Sequence, residues 1–316
     1  MLPHDVVLRT CSPADAESAV ADGVVLEVTW HGSPAWVLAD VAESEELLAD
    51  GLLALAAENR LAVVVGADSS SRQATLDRAL GGRVAAQVVD DAHLVGLEQV
   101  LAAVEDLPEE TVLALCLDNA MPLGQVTGSV ALDLAASGAC PVLVAERSPD
   151  RTSLDRAQRE VAAGRWPAGG DDTDRSFVAV RVATPDEALK RVGQLVATSI
   201  PRAFGHSGDA VAVLVAEGSI DPVAVPGAVT GSGGQGGTVV VPFGGPLART
   251  WPAVVAVLPG PGVPTLTRAI VYAALRAGTE HVSVVHGYPD DAALAAVLAA
   301  STDRPRRTRL AELLAP

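Results

Sequence analysis

The chain has almost no lysine. Of its 316 residues one is a lysine, Lys190, and 22 basic residues face 39 acidic ones, for a net charge of −17. Such a balance gives a field that repels a phosphate backbone, so a basic nucleic-acid-binding stripe is not expected. Aromatic residues are also scarce, at 3%, which removes the stacking platforms that single-stranded nucleic acid uses. Cys11, Cys116 and Cys140 have neither paired nor metal-ligand spacing. The last two lie in apolar strand-like runs and read as buried thiols of a reducing compartment. The six histidines include no pair at i, i+4, so no helix-borne metal site is expected. No apolar run reaches the ~18 residues of a membrane span, and MLPHDVVLRTCSPADAE lacks a basic region followed by an apolar core. The sequence predicts a cytoplasmic protein without membrane contact.

What is abundant is Val, Leu and Ala, within a hydrophobic fraction of 49%. Strand-like and helix-like segments alternate with short turns, the pattern of parallel α/β layers. Residues 61–66, 85–90, 111–117 and 141–145 are expected to form parallel strands of one sheet, because each is joined to the next by a helix-length crossover. A second sheet is expected after about residue 175. The expected organisation is an N-terminal segment over 1–58, a first domain over 59–168 and a second over 169–316, with a Gly-rich linker at 227–237. In the first segment, VAESEELLADGLLALAAEN predicts a helix with Leu47, Leu48, Leu52, Leu53 and Leu55 on a broad apolar face.

Two apparent motifs carry little. Gly231, Gly233 and Gly236 satisfy G-x-G-x-x-G, but the strand TVVVPF follows them, whereas dinucleotide binding needs a helix N-terminus there. GHSGD around Ser207 lacks the glycine two residues past the serine that a nucleophile elbow needs. No catalytic residue and no metal ligand set is assigned.

The informative stretch is VVVGADSSSRQAT, residues 63–75, an apolar strand, a glycine and a loop before a helix. A phosphate loop reads G-x-x-x-x-G-K-S/T, with backbone N–H groups around the phosphates, lysine on their oxygens and a hydroxyl on magnesium. Gly66 fits the first position; Ser71 replaces the second glycine, Arg72 the lysine and Gln73 the hydroxyl residue. An arginine is planar and larger than a lysine ammonium and does not substitute cleanly for it. Gly66 is expected to permit the tight turn. Ser69, Ser70 and Ser71 are expected to bond the N–H groups at the helix start, and Asp68 to place a negative charge beside them. Downstream, VVDDAH puts Asp90 and Asp91 at a strand end, in the manner of a magnesium-holding and water-positioning pair.

These segments together resemble the RecD-like branch of superfamily 1 DNA helicases, over most of residues 40–316. VLALCLDNAMPLGQVTGSVALDLAASGACPVLVAE is similar to the family's third motif and the helix and strand after it, with Asp118 on the motif's aspartate. WPAVVAVLPG and LTRAIVYAALRAGTEHVSVVHG are similar to its fifth and sixth motif region, and Arg147 in VAERSPD matches the fourth motif's arginine. The resemblance implies two RecA-like domains and a nucleotide site built from Gly66, Ser71, Arg72, Asp90, Asp91, Asp118 and Arg147.

The departures alter that expectation. Leu117 stands for the glycine before Asp118, Met121 for the nucleotide-sensing glutamine, and Ala277 for the sixth-motif arginine, with Arg276 one place away. Such an arginine is worth about 10³–10⁵ in rate where it has been measured. Only GGRVAA precedes the VVDD strand, where an active helicase carries an extra strand and a DNA-contacting motif. The nucleotide residues therefore read as vestigial. The expectation is a helicase-like protein that has lost ATP hydrolysis, holds no cofactor, binds nucleic acid weakly or not at all and acts through a protein partner. The alternatives are a divergent ATP-dependent DNA helicase, for which ATP and Mg would be the cofactors, and a nucleotide sensor without turnover.

Overall fold

The computed structural model describes residues 2–3, 12–30, 32–66, 69–81, 84–118, 130–146, 150–167, 174–226, 228–230, 237–243, 247, 249–263, 266–300 and 309–315. The chain forms two compact α/β units, one reaching Ser148 and taking back Arg304–Pro316, the other holding Pro149–Asp303.

The first unit opens with β1 (Leu2–Pro3), α1 (Pro13–Ala21) and the hairpin β2 (Val25–Trp30) and β3 (Ser33–Leu38), a three-stranded antiparallel sheet in the order β1-β3-β2. Helix α2 (Ala39–Ala57) follows, then β4 (Leu61–Val65), α3 (Ser69–Leu80), β5 (Ala86–Val89), α4 (Leu97–Glu105), β6 (Val112–Leu117), α5 (Val130–Ser137) and β7 (Val142–Val144). The four strands make one parallel sheet in the order β5-β6-β4-β7, as the sequence predicts. All six residues of β6 are buried while the edge strands β5 and β7 alternate, because an interior parallel strand is covered on both faces. One face packs on α2, α4, α5 and the short α11 (Leu310–Leu313); the other packs on α3 through Leu76 and Leu80.

The predicted apolar face of α2 is narrower than expected. Leu48, Leu52 and Leu55 are buried, whereas Leu47 and Leu53 are exposed. Glu45 takes a core-facing position instead, fully buried, its oxygens meeting the Nε and the backbone N–H of Arg309, each at 3.0 Å.

The second unit contains α6 (Ser153–Ala162), β8 (Phe177–Arg181), α7 (Pro185–Gln194), a π-turn over Leu195–Ser199, α8 (Ile200–Phe204), β9 (Val211–Ala216), β10 (Ala228–Thr230), β11 (Thr238–Phe243), β12 (Trp251–Leu258), α9 (Arg268–Arg276), β13 (Gly278–His286) and α10 (Asp291–Ala300). Its six-stranded parallel sheet runs β10-β11-β9-β12-β13-β8, with α6, α9 and α10 on one face and α7, the π-turn and α8 on the other. Thr152, Thr184 and Thr267 cap α6, α7 and α9 by accepting from the N–H three residues on, which fixes where each helix starts.

Both units are parallel α/β sheets of the kind expected for RecA-like domains. Leu154, Ala157 and Val161 of α6 pack in the core of the second sheet, so α6 goes with the second unit. Of the linker expected over 227–237, residues 227 and 231–236 lie outside the described residues, while Ala228–Thr230 form β10 and pair with β11.

Candidate functional site

The loop of the opening motif leaves the C-terminal end of β4, the edge of an open parallel sheet where ligands gather. Residues 67–68 lie outside the described residues, so the expectation for Asp68 does too. Gly66 continues the strand, its N–H donating to Leu117 O at 3.0 Å. It is not among the glycines with positive φ. Its requirement is space: a Cβ there would stand 2.7 Å from Ala145 Cβ and 3.3 Å from Arg72 Cγ.

Arg72, in the first turn of α3, does not reach out toward solvent. It is 3% exposed, with Nε and Nη2 donating to Asp90 Oδ1 at 3.0 and 2.5 Å, Nη2 also to Asp91 Oδ1 at 3.0 Å, and Nη1 to the Gly66 carbonyl at 2.8 Å. Asp91 is positioned for this by a left-handed backbone, φ 49° and ψ 40°, a conformation that aspartate tolerates better than most residues. Ser69 Oγ donates to the other oxygen of Asp90 at 2.5 Å. The hydroxyl proton of Ser69 is thus committed to Asp90. Gln73, at the hydroxyl position of the phosphate-loop pattern, donates to Asp77 Oδ1 on the surface of α3 at 2.7 Å.

The electrostatics follow the geometry. Burial alone would raise the Asp90 carboxyl, but the Ser69 hydroxyl and the Arg72 guanidinium outweigh it and hold the group below the ordinary carboxylate value. Asp118 is buried just past the end of β6, the strand between β4 and β5. His93, in the 3₁₀ turn Ala92–Leu94, is 2% exposed, and neither ring nitrogen has a hydrogen-bond partner among the described residues. Burial keeps it neutral by lowering its pKa, against the opposing charges of Asp91 and Asp118. Cys116 is raised to about 11, chiefly by burial and next by Asp90, which makes it an inert thiol.

Five of the predicted residues, Gly66, Arg72, Asp90, Asp91 and Asp118, thus meet at one end of the sheet, with Ser71 in the first turn of α3. Arg147 lies outside the described residues. Sequence reading missed His93 and the bond of Ser69 to Asp90. The i+21 spacing of Ser69 to Asp90 carries no periodic signal, and a lone histidine in a loop carries none either. No group of three or more His, Cys, Asp or Glu side chains that could hold a metal occurs among the described residues. No described helix is long and apolar enough to cross a membrane.

No family model matches the chain, and no curated protein matches it. Among solved structures it is similar to the arterivirus nonstructural protein 10 helicase in complex with DNA, at 11% identity over 86% of this chain and 73% of that one, with a TM-score of 0.34. It is similar also to a crystal structure of arterivirus nonstructural protein 10 (helicase), at 11% identity over 83% and 70%, with a TM-score of 0.32.

Proposed function

We propose that the chain is a helicase-like protein of RecD-type ancestry that does not hydrolyse ATP and works through protein contacts, as a subunit in DNA metabolism. The observation supporting this reading is the engagement of Arg72. A phosphate loop needs an unengaged cation and open N–H groups to receive a triphosphate. Here the loop's only candidate cation is buried, and Nε, Nη1 and Nη2 already bond Asp90, Asp91 and the Gly66 carbonyl. The two carboxylates also place negative charge where phosphates would arrive, and like charges at such range cost several kcal/mol at the low effective dielectric of a partly buried site, roughly 4 at 4 Å. Lys190, the one lysine, lies in the second unit.

A second reading, a divergent ATPase, is favoured by one contact. Ser69 Oγ lies 2.5 Å from Asp90 Oδ2, and a loop hydroxyl beside a strand-end aspartate is the pair that holds magnesium in phosphate-loop enzymes. Phosphate release and thermal shift with Mg·ATP separate the two, measured on the intact chain and on Arg72→Ala. No turnover and no shift are expected for either protein. Turnover abolished by the substitution would establish the loop as a working site and overturn the first reading. A labelled single-stranded oligonucleotide should bind more weakly than about 10 µM at low salt, given the absent basic track.

A further inference from the structure

We draw no further inference here: the strongest candidate, the hydrogen-bonded His281–Ser283 pair of β13 lining the cavity beside β8 in the second unit, carries nothing because Ser283 is fully buried and closed to any substrate, and the arginines and aspartates lining that cavity balance one another and select no ligand.

Discussion

Arg72 and Asp90 are joined by a forked contact in which Nε and Nη2 of the arginine share a single carboxylate oxygen, at 3.0 and 2.5 Å. The partners are unequal: the arginine side chain is 3% exposed and the aspartate 38%.

That inequality predicts an asymmetry. Arg72→Met leaves Asp90 and Asp91 close enough to water to be hydrated and should cost about 1 kcal/mol. Asp90→Asn leaves a buried guanidinium with half its neutralising charge and should cost about 2 to 3 kcal/mol. Urea unfolding of both variants and the double substitution provides the comparison. The reverse order would mean that the guanidinium reaches solvent.

Gly66→Ala brings a methyl group to 2.7 Å from the Ala145 Cβ, a distance that real side chains do not hold. The substitution should destabilise by about 1 to 3 kcal/mol. Adding Ala145→Gly removes the colliding atom and should recover most of the loss. If the second change recovers nothing, the glycine is required for some reason other than space.

How far this was legible beforehand differs between backbone and site. The strands 61–65, 86–89, 112–117 and 142–144 could be read because interior parallel strands are continuous apolar runs bounded by turns. Gly66, Arg72, Asp90, Asp91 and Asp118 could be read as neighbours because a known motif order places them at one sheet end. The direction of Arg72 could not. Whether an arginine reaches outward for a ligand or inward to its own carboxylates depends on the left-handed turn at Asp91 and the approach of Ala145, and both are set by tertiary packing. The buried Glu45 was equally hidden, since helical spacing shows which face a residue shares and not that a distant arginine will meet it.

Acidity should weaken the fold in a defined window. His93, His281 and His286 are each held below the usual histidine value of 6.5, in every case mainly by burial. The unfolded chain therefore takes up protons that the folded one refuses. Stability is full above about pH 6.5 and declines below it, by up to ~1.4 kcal/mol per pH unit for each histidine. Relief of the net negative charge sets in only near the carboxylate range, below about pH 5. Thermal midpoints between pH 7.5 and 5.5 should fall, and His281→Gln should reduce the slope. A flat profile would show that the rings protonate in place. Asp90 acts in the same direction at lower pH: its depressed value gives stability present above the ordinary carboxylate range and lost as pH falls through it.

Arg309→Ala removes the partner of a fully buried carboxylate, since Glu45 is 0% exposed. An uncompensated buried charge costs about 3 to 5 kcal/mol. Glu45→Gln together with Arg309→Ala should be milder than Arg309→Ala alone. Calorimetry of the two variants beside the unsubstituted chain decides it, and equal losses would assign the effect to packing of α11.

The pairing of Glu45 with Arg309 spans 264 positions, and it closes a unit whose chain is interrupted by another unit. On a ribosome adding about 5–20 residues per second, the carboxylate is made roughly 13 to 53 seconds before the arginine that neutralises it. The later-encoded unit has all its strands before the earlier one has its last helix. Maturation of the first unit is thus tied to synthesis of the second, and a chain whose synthesis stops short of Arg309 would carry a first unit still holding an unneutralised charge in its core.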